Sequence, residues 1–336
     1  MNVLGFDVGT YNLISCSRQE NNYEYKREVN GFVKLNIESR AIFNMMEKSG
    51  VKLVEFPDEN VAYALGKNAV EMARTLPNVE LLRPMKDGCL NPKEHYAQEI
   101  MSMMIHGMIG EIEQDNTTLF YSVPANALNE ETDADYHQKV LQQIFDDYES
   151  DQGFKLDARP INEALALVYA ELEEKAWTGI GISCGSGMVN ICYSIFGAPV
   201  FQFSIVNSGD WIDKQASKAL GETTTTYVNR QKEKIDFTIQ QDELVFRAIK
   251  TQYEIMIHNT VNKIVEGFEK AGHNTRTDKP VDIILAGGTA TPNGFEELFK
   301  EALNKVKLPI KVGEIIKPKE PVKSVARGCL VAAENA

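Results

Sequence analysis

Apolar residues along this chain fall in short runs separated by Gly, Pro and polar clusters, the pattern of strands alternating with amphipathic helices. The run VLGFDVGTYNLISC (3–16) predicts a β-hairpin with Asp7, Gly9 and Thr10 about its turn. After the hairpin comes the stretch 31–40, and residues around 43–48 read as a polar helix. VKLVEF (51–56) and AYALG (62–66) predict short strands and 68–75 a short helix, with Pro77 and Pro84 punctuating the stretch between that helix and the next. A long helix is expected over 92–113, burying Met101, Met103, Met104, Ile105 and Met108 as ordinary core. TTLFYSVPA (117–125) predicts a buried strand ending at Pro124. A helix over about 130–149 follows, with Asn129 as N-cap and Thr132 and Asp133 in its first turn. DARPINEALALVYAELEEK predicts a short edge strand and a helix from near Asn162.

The second half repeats the theme. GIGISCGSGMVNICYSIFGAPVFQF (179–203) predicts a strand, a Gly/Ser turn and further strands, and Ile182-Ser183-Cys184-Gly185-Ser186 aligns with Phe6-Asp7-Val8-Gly9-Thr10. One such hairpin per half suggests an internal duplication. A helical stretch (241–270), a polar loop (272–279), the strand VDIILAGG (281–288), the helix NGFEELFKEALNKV and a closing helix in PVKSVARGCLVAAE complete the chain. The alternation favours α/β layers, two related halves around a central cleft.

Composition narrows the function classes. At 336 residues there is room for two domains. A net charge of −13 opposes nonspecific nucleic-acid binding, and the mixed run at 230–234 reads as a solvated helix face. No apolar stretch approaches a membrane span, and no export signal is expected. The five cysteines are scattered without a C-x-x-C pair, which predicts reduced thiols in a cytosolic protein, and the five histidines show no zinc spacing.

The candidate chemistry lies in three loops. A hairpin turn of Gly, Thr and Ser aims backbone N–H groups inward as an anion nest. An Asp in such a turn repels phosphate unless a divalent cation intervenes, so Asp7 predicts Mg²⁺. The second turn and Gly287-Gly288-Thr289, at a strand end before a helix, extend the pattern.

Together FDVGTYN, SCGSGMVNI and ILAGGTATPNGF resemble the phosphate-one, phosphate-two and adenosine motifs of the actin-like ATPase superfamily. AVEMARTLPNVELLRPMKDGCL (69–90), NSGDWIDKQ (207–215) and SVARGCLVAA (324–333) resemble segments of the MreB-type bacterial actins, in the correct order along nearly the whole chain. The resemblance implies an actin-like fold of two ribonuclease H-like α/β domains about a nucleotide cleft. The first would span 1–158, with a small subdomain at about 31–77. The second would span 159–319, with one at about 211–279, and a C-terminal helix (320–336) would return to the first.

It also implies ATP/ADP and Mg²⁺ as cofactors. Asp7 would face the metal, and Gly9, Thr10, Tyr11 and Asn12 would border the phosphates opposite Gly185, Ser186 and Gly187. Gly287, Gly288 and Thr289 would lie beside the adenosine, Gly209 and Asp210 in the segment after the second loop, and Lys232 where relatives place a lysine near the base. Glu163 would orient the attacking water, though a first-turn helix acid is its plain structural alternative. Where relatives open the second phosphate loop with Asp, this chain has Ser183, and a later acid is Asn190. Loss of that charge is expected to weaken metal positioning and slow hydrolysis while leaving nucleotide binding.

The implied function is a filament-forming, nucleotide-binding cytoskeletal protein with weak ATPase activity. The resemblance implies self-association into filaments and a cytoplasmic location, with membrane or cytoskeletal adaptors as candidate partners and membrane association of the filaments left open. A static pseudo-ATPase scaffold is the alternative. A sugar-kinase type lacks a distinct acidic base. A chaperone-type ATPase would need a substrate-binding domain after its core, which the sequence is not expected to carry.

Overall fold

The opening hairpin is the start of a three-stranded antiparallel ribbon. β1 (Val3–Val8) pairs with β2 (Asn12–Gln19), and β2 pairs with β3 (Asn22–Val29). The computed structural model describes residues 3–336 except 21, 37–38, 57–60, 77–78, 111–116, 128–132, 153–154, 273–276 and 278. Pro77, the expected cap Asn129, Thr132 and most of the 272–279 loop therefore lie outside the described residues.

After β3 come β4 (Phe32–Leu35), α1 (Arg40–Lys48), β5 (Leu53–Glu55), β6 (Ala62–Leu65) and α2 (Gly66–Thr75), whose strands form a small antiparallel sheet in the order β4-β6-β5. A short hairpin, β7 (Met85–Lys86) and β8 (Cys89–Leu90), leads to α3 (Ala97–Ile109), β9 (Thr117–Val123), α4 (Ala134–Gln152) and β10 (Leu156–Asn162). α3 is shorter than the sequence predicts, because Tyr96 precedes it at φ 61° and Gly110 closes it at φ 74°. Its Met101, Met104, Ile105 and Met108 are buried, but Met103 is 43% exposed. Met103 sits about 200° around the helix from Met101 and so faces away from the core. The first turn of α4 is capped by Asp133, whose carboxylate accepts the Tyr136 N–H at 2.8 Å.

The second half begins with α5 (Glu163–Glu171), capped by Asn162 through the N–H groups of Ala164 and Leu165. β11 (Gly179–Cys184), β12 (Val189–Ile195), β13 (Ala198–Ile205), α6 (Gly209–Ala219), α7 (Thr225–Lys232) and α8 (Leu244–Ala271) follow. Then come β14 (Val281–Ala286), α9 (Phe295–Leu303), β15 (Val312–Ile316) and α10 (Ser324–Glu334).

Two five-stranded sheets have the same topology. Their orders are β3-β2-β1-β9-β10 and β13-β12-β11-β14-β15. In each, three consecutive strands run antiparallel and two later strands join the first of them in parallel. The duplication suggested by five aligned residues thus extends over whole sheets. Each sheet has its own core, around Phe6, Leu119, Tyr121 and Phe145 in the first and Ile182, Tyr253, Ile283 and Phe295 in the second.

α5 and α10 lie between the sheets and join them. A β-carbon built on Gly181 of β11 would fall 2.2 Å from the Ala164 oxygen of α5. One on Gly5 of β1 would fall 2.2 Å from the Ala326 oxygen of α10, and one on Gly328 of α10 would fall 1.7 Å from the Ala166 oxygen of α5. Bare backbone at these three points lets sheet, helix, helix and sheet touch. All five cysteines are buried and unpaired, and no helix among the described residues is long and apolar enough to cross a membrane.

Candidate functional site

The two equivalent hairpin turns meet across a cleft of about 280 Å³ between the halves. In the first, the Gly9 N–H donates to the Asn12 carbonyl at 3.0 Å, and in the second the Gly185 N–H donates to the Met188 carbonyl at 2.9 Å. The turns approach so closely that a β-carbon on Gly187 would lie 2.5 Å from Thr10 Oγ1 and 2.4 Å from the Gly88 nitrogen. The third loop leaves β14 through Gly287 at φ 92°, a left-handed conformation that glycine adopts without strain. A β-carbon there would also strike the Cys184 oxygen at 2.3 Å. Thr289 Oγ1 donates to the Gly185 carbonyl at 2.7 Å and ties the third loop to the second.

Asp7, Gly9, Thr10, Tyr11, Asn12, Glu163, Gly185, Ser186, Gly187, Gly209, Lys232, Gly287, Gly288 and Thr289 all line this cleft. Asp210 does not. Its carboxylate accepts the Ser186 hydroxyl at 2.7 Å and pairs with Arg83 at 2.8 Å, and Arg83 also donates to Ser186 Oγ at 2.9 Å. Lys232 is no part of a solvated face, since its ammonium pairs with buried Asp213 at 2.7 Å and donates to the Gly209 carbonyl at 2.9 Å. The solvated-face pattern misleads here because α7 turns this one residue inward onto α6.

Two carboxylates stand at the floor of the cleft. Asp7 accepts the Ser122 hydroxyl at 2.8 Å, and Ser122 Oγ in turn accepts the Val8 N–H at 2.9 Å. Shielding from water pushes the Asp7 carboxyl up to about 7, with the Ser122 bond opposing the rise. Glu163 opens α5, and its Oε2 accepts the Asn190 amide at 2.5 Å. Asn190 is itself held by the Ser204 hydroxyl at 2.5 Å. Burial first, and the charge of Asp7 second, push Glu163 up to about 8, while bonds from Asn190 and Ser183 pull it down.

A hydrated Mg²⁺ fits this donor set. Burial makes both acids costly to ionise and the charge of Asp7 adds to the cost for Glu163, and an oxygen-ligated dication relieves it. Among the described residues no three His, Cys, Asp or Glu side chains converge, so a cage made by protein alone is not what the site offers. Mg²⁺ is commonly held by one or two carboxylates with water and phosphate completing its shell.

Sequence reasoning missed Arg83, Ser122 and Arg27, which also lines the cleft from β3. Arg83 lies within the MreB-resembling stretch 69–90, but its reach into the other half depends on tertiary structure. Ser122 sits inside an apolar strand and carries no local signal.

The sequence matches the Volactin family over residues 1–333. The chain belongs to the Volactin family. A comparison with curated proteins finds no match. Among solved structures, this volactin-family chain is similar to the MamK double helical filament at 17% identity, over 99% of this chain and 98% of that one, with a TM-score of 0.74. It is similar to MreB5 of Spiroplasma citri bound to ADP at 15% identity, over 99% and 96%, with a TM-score of 0.61. The AMPPNP-bound form of that protein gives 14% identity, the same coverage and a TM-score of 0.65. These likenesses show the actin-like fold that the sequence motifs imply.

Proposed function

We propose that this volactin-family chain is an actin-like cytoskeletal protein that binds ATP with Mg²⁺ in its cleft, polymerises with nucleotide and hydrolyses it slowly. The observation that carries this reading is the pair of topologically equivalent glycine turns facing each other across one cleft, above two unneutralised acids. A solved relative of the same fold forms a double helical filament, and another is bound to ADP or AMPPNP. Residues 1–158 and 159–319 are taken as the two bodies of the cleft, although β10 of the first sheet runs on to Asn162, and the return of 320–336 to the first body is supported by the packing of α10 on β1.

The chain's own groups have separable tasks. With the Gly9 and Gly185 N–H groups closing their own turns, the backbone N–H groups of Thr10, Tyr11, Ser186 and Gly187 bind phosphate oxygens, with the Thr10 hydroxyl between the two turns. Gly287, Gly288 and Thr289 leave room for the nucleoside. Asp7 would hold Mg²⁺ through water, and the ion would supply charge neutralisation of the phosphate chain. Glu163 orients the attacking water when ionised. With its carboxyl at about 8 it is mostly protonated at neutral pH in the empty cleft, and relief of the Asp7 charge shifts it toward the accepting form. Its bonds from Asn190 and Ser183 occupy oxygen lone pairs that would otherwise face water, which favours slow turnover.

That same clamp supports the second reading, a scaffold that binds nucleotide without turnover. Sedimentation and electron microscopy with ATP, ADP or no nucleotide, run beside phosphate release, test both. Polymer with ATP and slow release abolished in Glu163→Ala are expected. Absence of polymer across protein and salt concentrations sinks the filament reading. Nucleotide binding without release in either protein leaves the scaffold.

A further inference from the structure

The register of the first sheet sets Asp7 opposite Ile14 and Ile14 opposite Arg27. Directly paired residues of antiparallel strands share a face, so the three side chains form one row, and all three line the cleft. The equivalent row in the second half is Ser183, Asn190 and Ser204. That row is buried and neutral, with Ser204 bonded to Asn190 and with Asn190 and Ser183 bonded to Glu163. The first row instead carries an acid and a cation held apart by a fully buried Ile14. With strands about 4.8 Å apart, the two charged positions lie roughly 10 Å from each other, too far to neutralise one another directly.

Arg27 is aimed by the phosphate turn itself. Its Nε donates to the side-chain oxygen of Asn12 at 3.0 Å, and among the described residues its two terminal nitrogens have no bonded partner. Among the described residues no carboxylate pairs with it. The other cation of the lining, Lys232, is already held by Asp213. The lining's acids are Asp7, Glu163 and Glu233, so among the described residues a polyanion entering the cleft meets one uncommitted cation.

We propose that Arg27 is a phosphate-chain ligand, its guanidinium taking non-bridging oxygens of a nucleoside di- or triphosphate whose other end faces Asp7. This deepens the nucleotide reading and rests on it. A planar fork suits two oxygens of a phosphate in a way a point charge does not. Arg27 is exposed on an outer strand, so its replacement leaves the core untouched.

The test is calorimetric titration of the full chain with ATP, ADP and adenosine in Mg²⁺ buffer, for wild type, Arg27→Gln and Arg27→Lys. Expected is a 10- to 50-fold weaker affinity of Arg27→Gln for ATP and ADP, adenosine affinity within twofold of wild type, and partial recovery in Arg27→Lys. An unchanged affinity for ATP and ADP overturns the proposal, and so does an equal loss for adenosine, which would make Arg27 a support of cleft shape only. Wild type that binds neither ATP nor ADP overturns the nucleotide reading itself, and the role of Arg27 with it.

Discussion

Glu163 and Asp7 give the cleft a pH signature that can be worked out in sign. Both carboxyls are raised in the folded chain, to about 8 and about 7, chiefly by burial. Below the unfolded carboxyl range near pH ~4 both states hold their protons and no penalty arises. As pH rises from there to about 8, the unfolded chain has released protons that the folded chain keeps, so folding stability falls and then levels off. The nucleotide-free protein is therefore expected to melt progressively lower from pH 5 to pH 8. Glu163→Gln removes the larger part of that penalty. It should raise the melting temperature of the nucleotide-free form by roughly 2–5 °C at pH 8, on the order of 1–3 kcal/mol, and by nothing near pH 4. Scanning calorimetry across this range checks it, and a difference independent of pH would refute the assignment. In the same variant, phosphate release should drop at least about tenfold with nucleotide affinity held, the pattern of a lost water-orienting group.

The helices and strands differ in how far the sequence disclosed them. Asp7-Val8-Gly9-Thr10 and Ser183-Cys184-Gly185-Ser186 were legible because a turn that brings backbone against a ligand excludes most side chains, and that restriction is local. β3 went unread: Tyr23, Tyr25 and Val29 alternate with Glu24, Lys26 and Glu28, but Arg27 on the tyrosine face breaks the alternation, and it went unseen with the strand. β15 is a short edge strand, and the ends of α3 are fixed by positive φ at Tyr96 and Gly110 rather than by periodicity. The α5–α10 contact was readable only as a small-residue helix, since the need for Gly328 arises from Ala166 on another helix. That need is testable. Gly328→Ala should destabilise the chain by about 2–3 kcal/mol, because a β-carbon 1.7 Å from a backbone oxygen forces the two helices apart. Urea unfolding measures it, and a loss under about 0.5 kcal/mol would mean that the helices yield freely.

For the molecule as a whole, the two sheets are joined at the base by α5 and α10, so opening of the cleft must act against whatever links the halves above it. Among the described residues two ion pairs do so. Arg74 of α2 approaches Glu233, just past α7, at 3.9 Å, but both are well exposed and the pair is worth little. The second is Arg83, from the segment before β7, which reaches Asp210 at 2.8 Å and Ser186 at 2.9 Å with both ion-pair partners about three-quarters buried. Ser186 belongs to the second glycine turn, so this link couples cleft closure to the turn proposed to face the phosphates. A partly buried, charge-assisted link of this kind holds the closed form by about 1–2 kcal/mol over an open one. Arg83→Met should then speed dissociation of a bound nucleotide by roughly 5- to 30-fold, since 1.4 kcal/mol corresponds to a factor of ten. Stopped-flow release of a fluorescent ADP analogue reads this directly. Release at the wild-type rate, in a variant that retains the wild-type melting temperature, would show that the Arg83 link does not limit opening of the cleft.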